Sequence, residues 1–567
     1  MKNRIIISLF LSAFLISSCA NLDLNPLSEG SSENWYSDKT EIELALNDLY
    51  RADFWSKYNS FGYTRYDDDW CQRQVVTDFT AGNWNSQTAD VEDLWLLTYK
   101  AINRANAVIN NMKKVEGVVP EQKIKQYTAD AMFIRAAMYS RLIFLWGDVP
   151  YYTETPDIEE AFKMGRTDKN VILQNIYKDF DYAIENLPVT YPSNELLHAT
   201  KGTALAFKAR VALHFSEWAI VRDAAKACMD LGVYSLHPDY RDYFLSTTRN
   251  SKETIFAIPR DYATQATFNF KNFITRTPGG TISAIPSWDL MSTFLCTDGL
   301  PIDESPLYNP QKPFTNRDPR LSATIVPFGS EFLGFIYDPN PYATKVLNVK
   351  TGLTVSNKDS RAVDQYASYN GLALKKWVDD RVITNGFLGD FDLIVMRYAD
   401  VLLMYAEAKI ELNEIDASAI DAFNQVRARA YGVKVTETTK YPAVTALPQA
   451  RFRKILRMER RSEFAWENRR FFDLIRWKIA EKALTRPIYG LLDVAQLKSQ
   501  VVDKGLWFFP GTPKIDEDGL PDFSEMYNAK LIKILAERKF DKSRQYLWPI
   551  PSKEILINEN LKQNPNY

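Results

Sequence analysis

Histidine is nearly absent from this chain: His198, His214 and His237 are all there are in 567 residues. None stands four positions from another with a glutamate between, so the helical zinc site of a zincin is excluded. Neither a G-x-S-x-G elbow nor a P-loop occurs, which removes the signatures of α/β-hydrolases and of phosphate-cradling NTPases. Cysteine is almost as sparse. Apart from Cys19 there are Cys71, Cys228 and Cys296, an odd, widely spaced set without CxxC or other metal-ligand spacing. At most one disulfide can form among them, and a leftover thiol has to be buried or occupied. Excess positive charge is missing as well, with 69 Lys and Arg against 71 Asp and Glu and no basic patch. Such a chain repels phosphate at long range, so nucleic acid is not an expected partner. No Pro/Gly/Ser-rich linker divides the chain into independent folds.

Long apolar runs are confined to the N-terminus. Lys2 and Arg4 precede an apolar stretch from Ile5 to Ile16, and Ser17-Ser18-Cys19 follows, which is the layout of a signal peptide over residues 1–18. The stretch is too short for a permanent span, which needs roughly twenty residues. Cys19, directly after the small residues, is positioned for acylation, and a multiply acylated cysteine anchors a protein stably where one chain would not. Residues 19–38 then read as a lipidated N-terminus and polar tether, and residues 39–567 as a single domain. The membrane is reached through the lipid alone.

What is abundant is helical periodicity and aromatic side chains. Amphipathic patterns cover roughly 39–58, 91–114, 121–145, 168–187, 199–217 and 219–231, with Thr167 as a candidate N-cap and Pro188 as a stop. Residues 233–390 change character to short strand-like pieces such as Thr254–Ile258, separated by Pro- and Gly-containing connections. Helices return at Phe391–Asn413, where Met396, Ala399, Leu403, Ala406 and Ile410 form a stripe, and at Ala417–Tyr431, stopped by Gly432. The fold expected is mainly α, a tetratricopeptide-like scaffold of helical hairpins carrying a loop-rich insert with short strands. Thirteen Trp and thirty Tyr exceed what a core alone obviously needs, which points to aromatic binding surfaces.

Several segments in order resemble the SusD/RagB family of outer-membrane nutrient-binding lipoproteins. They are the lipoprotein start; Asn103-Arg104-Ala105-Asn106; Arg135-Ala136-Ala137 leading to Trp146-Gly147-Asp148-Val149-Pro150; Met396-Arg397-Tyr398-Ala399-Asp400-Val401-Leu402-Leu403 with Ala406-Glu407-Ala408; Arg457–Trp477; and Leu547-Trp548-Pro549-Ile550-Pro551. The terminal Gln563-Asn564-Pro565-Asn566-Tyr567 departs from the usual Gln-Asn-Pro-Gly-Tyr by an Asn that tolerates the left-handed conformation. The resemblance implies a SusD-like fold and no enzymatic activity. It also implies a lipid-anchored place on the outer membrane facing the exterior, and delivery of oligo- or polysaccharide to a SusC-type TonB-dependent transporter. A peptide-binding lid of the RagB type, a secreted hydrolase and a purely structural helical scaffold are the competing readings.

Sugar recognition needs an aromatic face for ring C–H groups and carboxylates, amides or Arg forks for paired hydroxyls. Phe61 to Trp95 supplies that mixture: Tyr63, Tyr66, Asp67, Asp68, Asp69, Trp70, Arg73 and Trp84 in turns marked by Gly82, Asn83 and Asn85. Trp84 is expected to be exposed and Trp95, on a helix, to be core. From the insert come Trp288, Cys296 ahead of Thr297-Asp298-Gly299, and Arg361 as a guanidinium fork. The candidate ligand-binding set is thus Asp67, Asp69, Trp70, Trp84, Trp288, Cys296 and Arg361, converging with the first loop by resemblance. An acid-rich, modestly aromatic loop favours a fructan such as levan over starch. No cofactor motif is present; a structural calcium ion in the loops is the remaining possibility, although Asp67–Asp69 and Asp516–Gly519 both lack the EF-hand spacing. The dense charge run from Glu459 to Arg476 reads as a lattice of i,i+3 and i,i+4 ion pairs on one amphipathic helix.

Overall fold

Short polar side chains start the helices by accepting a first-turn N–H. In the computed structural model, which describes residues 35–59, 62–73, 77–192 and 198–567, Asp38 does so for α1 (Lys39–Asp48). The leader, Cys19 and most of the tether lie outside the described residues. There follow α2 (Ala52–Asn59), β1 (Trp70–Gln72), α3 (Ala89–Asn111), α4 (Glu121–Trp146), α5 (Lys169–Asn186), α6 (Lys201–His214) and α7 (Trp218–Asp230). The cap of α5 is Asp168, which accepts the Asn170 N–H at 2.7 Å. Thr167, expected in that role, instead exchanges backbone bonds with Val149. A reciprocal pair, Thr200 and Thr203, caps α6.

Each long helix packs on the next in sequence: α3 on α4, α4 on α5, α5 on α6, α6 on α7. This serial stacking is the hairpin scaffold the periodicity implies. After α7 comes β2 (Thr254–Ile258), and β3 (Ala284–Pro286) pairs antiparallel with β1. A meander in the insert contains the hairpin of β4 (Lys345–Asn348) and β5 (Leu353–Ser356). The insert closes on β6 (Leu393–Arg397), which pairs antiparallel with β2. Phe391–Asn413 is therefore not one helix. Leu393-Ile394-Val395-Met396 is satisfied as a sheet partner, and α8 (Tyr398–Glu411) begins only after Arg397 in extended conformation. Helix α8 packs on α7, then on α9 (Ala417–Ala430) and α10 (Gln449–Glu463).

The charge run that reads as one helix is broken. Trp466 and Asn468 both take positive φ, near 60°, and reverse the chain between α10 and α11 (Arg470–Arg476). One pair is local, Arg476 with Asp473 at 2.8 Å. Others reach far across the sequence: Arg460 to Asp400 at 3.2 Å, Arg476 to Glu407 at 2.6 Å, Arg470 to Asp68 at 2.7 Å. Glu463, fully buried, faces Arg397 at 2.6 Å and Arg320 at 2.8 Å. Glu467 takes Arg397 and the buried Lys376 at 2.7 and 2.6 Å. Burial lowers the Lys376 ammonium to about 8, with Glu467 pulling the other way.

These charges lie along a seam between two apolar cores. One is built by the helices and the other by the insert with β1, Trp466 and residues near Phe508. Segments that carry the family resemblance also meet in space, within the helical core. Trp146 donates its indole N–H to the Pro549 carbonyl at 2.8 Å, and Asn564 bridges the Trp146 and Trp548 carbonyls at 2.9 and 2.7 Å. Arg135 forks onto Asp179 with two bonds of 2.8 Å.

Candidate functional site

Most of the sequence-predicted site residues are interior. Asp67, Asp68 and Asp69 are 5%, 0% and 1% exposed. Arg470 forks onto Asp68 at 2.7 and 2.9 Å, and Arg461 reaches Asp68 and Asp69 at 2.9 and 2.8 Å. Burial alone would raise Asp68, but Arg461 and Arg470 hold it well below the usual carboxylate range. Asp67, which lies beside two other carboxylates and accepts the Asp69 N–H, is pushed well above it by burial and by Asp69 and Asp68. The three offer oxygens within 4.8 Å of one another. Two of them are already committed to guanidiniums, so the triad does not fit a calcium ion.

The aromatic expectations fare likewise. Trp84 is 2% exposed, not exposed as its Gly/Asn turn implies. The C-terminal segment folds over that turn: Trp84 stacks on Phe79 at 5.1 Å and meets Trp548 edge-on at 5.8 Å. The Gln545 amide donates to the Gly82 carbonyl, and a Cβ at Gly82 would stand 2.7 Å from the Lys539 oxygen. Trp70 stacks on Trp466 at 5.1 Å. Trp288, 1% exposed, donates to the Asn370 carbonyl at 2.8 Å. Cys296 is fully buried, and burial raises its thiol. Cys71, Cys228 and Cys296 are all free. Trp95 is core, as its helical position implies, at 3%. None of the thirteen tryptophans is exposed; the tryptophans serve packing.

The two chain regions nevertheless converge, at the outer edge of the β1–β3 pair. Arg73, one residue beyond β1, crosses to the insert, where its N–H donates to the Ser283 carbonyl at 2.9 Å. Its guanidinium donates to the Thr281 and Tyr366 carbonyls, the latter at 2.6 Å. Its Cζ lies 5.3 Å from the centre of the Tyr366 ring, and Arg276 approaches the same ring at 6.0 Å. Tyr366 is 41% exposed. Arg276 is held by Asp364 at 2.9 Å, and below it the buried Asp359 accepts the N–H groups of Arg276 and Thr277, burial raising its carboxyl to about 6. Burial and the neighbouring Arg276 charge lower Arg73. Arg361, the one member of the candidate ligand-binding set on this face, lies 4.5 Å above the Tyr369 ring and pairs with Asp493 at 3.2 Å, which Lys533 shares at 2.7 Å. Arg276, Asp364, Tyr366 and Tyr369 escaped the sequence reading. The signal for the last three is the polar-aromatic stretch Arg361–Asn370.

A concavity of about 280 Å³ lies on the helical side, lined by Leu96, Tyr99, Ile158, Phe162 and Ile557 together with the polar Asn103, Glu554 and Asn558.

Residues 252–567 match the model of the SusD family, and residues 22–213 match one described as starch-binding associating with the outer membrane. The chain belongs to the SusD family. A SusD-like protein of Formosa agariphila is 28% identical over 518 residues, 85% of this chain and 90% of that one. Among solved structures, a SusD-like carbohydrate-binding protein from Bacteroides fragilis is 26% identical with a TM-score of 0.76, covering 93% and 99% of the two chains. Surface glycan-binding protein A from Bacteroides fluxus shares the fold at 20% identity, TM-score 0.62, with 94% and 100% covered. As a SusD-family member the chain is a binding protein and not an enzyme. Among the described residues no SusD-fold helix is long and apolar enough to cross a membrane.

Proposed function

We propose that this SusD-family chain captures oligo- or polysaccharide at the cell surface and hands it to a SusC-type TonB-dependent transporter, held to the outer membrane by a lipid on Cys19. The observation that carries the binding role is the exposed Tyr366 ring flanked by Arg73 and Arg276, with Tyr369 and Arg361 beside it. A phenol ring supplies an apolar platform for sugar C–H groups, and guanidiniums supply paired donors to oxygen. The description of the matched N-terminal model and the carbohydrate-binding relatives support the same reading. A fructan preference loses its ground, because the aspartates it rested on are sealed in ion pairs.

Calorimetric titration of the protein and its Tyr366→Ala variant against a panel of glycans tests the site. A loss of about tenfold or more is expected for removal of a central contact. Unchanged affinity would move the site elsewhere. Cys19→Ala should stay folded yet leave the membrane fraction, and persistence there without the transporter would refute the anchor.

A further inference from the structure

The glycan-binding reading leaves open the chemistry of the sugar, and the face itself bears on it. Arg73 is hydrogen-bonded to no carboxylate among the described residues; its bonds go to main-chain carbonyls, and the Asp364 carboxylate whose charge it feels is hydrogen-bonded to Arg276. Its Nε is buried without an acceptor. Asp364 is occupied by Arg276, and Asp493 is divided between Arg361 and Lys533. The carboxylates close to this face are thus already taken by cations, and Asp359 is turned inward onto backbone N–H groups.

A neutral sugar hydroxyl both donates and accepts, and sites for neutral glycans meet it with acceptors as well as donors. Here the phenols of Tyr366 and Tyr369 can donate or accept, whereas the charged side chains on the face, Arg73 and Arg361, offer only donors: a guanidinium has five N–H groups and no acceptor. An acceptor-only group with several oxygens matches such donors, and its negative charge balances an Arg73 whose own hydrogen bonds all go to neutral carbonyls. We infer that the face of Arg73, Tyr366 and Arg361 recognises an anionic glycan, one bearing carboxylate or sulfate groups, with the phenol rings carrying the sugar and the guanidiniums the charge. This rests on the glycan-binding reading and narrows it.

The test is titration of the full protein with oligogalacturonate, with sulfated galactan oligosaccharide and with neutral malto- and fructo-oligosaccharides, at low and at about 0.5 M salt. One of the two anionic classes is expected to bind, and which one does separates a carboxylate from a sulfate ligand. Its affinity should fall at high salt, and should drop about tenfold or more in Arg73→Gln, the scale of a lost charge-assisted bond. Arg73→Lys, which keeps the charge without the fork, should fall between, and Arg361→Gln gives a parallel readout should Arg73→Gln melt early. If a neutral glycan binds as well as either acid, or Arg73→Gln and Arg361→Gln both bind as the parent does, the anionic inference is overturned while a Tyr366→Ala loss keeps the site. Should Tyr366→Ala bind every glycan normally, the site itself is wrong. Failure of both anionic classes, or binding of poly-glutamate in their place, also overturns the inference.

Discussion

Residues 63–70 with Trp84, and residues 361–369, both mix aspartate with aromatic rings and both recruit arginine, yet Asp67–Asp69 and Trp84 of the first are interior whereas Tyr366 of the second lies open. The difference is where the compensating groups come from. Asp68 and Asp69 receive Arg461 and Arg470 from nearly four hundred residues away, and Trp84 receives Phe79, Trp548 and Tyr567 as a lid. Among the described residues nothing comparable covers Tyr366. Local composition therefore says which groups are available, whereas exposure depends on whether a distant segment supplies their partners.

The comparison breaks most visibly at Asp68. Replacement by Ala leaves two guanidiniums buried beside an empty place, and a loss of about 3–5 kcal/mol is expected on removing one partner of a buried pair; urea denaturation reads it. A near-parental midpoint would mean that solvent reaches this cluster. Trp84→Ala should cost on the order of 3–5 kcal/mol of stability without changing glycan affinity under conditions where the variant is folded. Weakened binding with an unchanged melt would return Trp84 to the ligand face. Tyr366→Ala is the mirror image, with stability within about 0.5 kcal/mol of the parent and the affinity loss given above.

The smallest effect is a slope. Asp359 is raised from 3.8 to about 6 in the folded state, so between those values the native protein holds a proton that the unfolded chain has released. This group's contribution makes stability fall as pH rises through that window, by at most about 1.4 kcal/mol per pH unit. Asp68 acts in the opposite sense, its stabilisation being present above the unfolded carboxylate range and lost as the medium acidifies below it. Asp359→Asn should flatten the window near pH 4–6 relative to the parent, a difference read from paired melts; superimposable profiles would show that Asp359 titrates normally.

The helical hairpins, the insert and the family were legible in the sequence because helix periodicity and ordered motifs are local signals. Met396 was misassigned to a helical stripe, since its apolar neighbours also suit a strand. Partners of the charge run were misjudged for a related reason: Arg460, Arg461, Glu463 and Arg470 stand at helical spacings, but the reversal at Trp466 and Asn468 points them outward from the local segment to Asp400, Asp68 and Arg397. Of the binding face, Arg361 and Arg73 were singled out in advance. Tyr366 was not, because a tyrosine in a polar loop carries no mark of whether anything will cover it.

The seam of Glu463, Glu467, Arg397, Arg320 and Lys376 also governs how the molecule comes apart. Its anions on the α10 side are neutralised by Arg320 and Lys376 from the insert and by Arg397 at the root of α8. Opening one core without the other would strand unlike charges in separate dry pieces, a state costlier than either the native or the fully hydrated chain. A chain of this length would ordinarily be expected to lose its parts in sequence. The seam instead couples scaffold to insert, so that heat should bring both cores down together in a single transition.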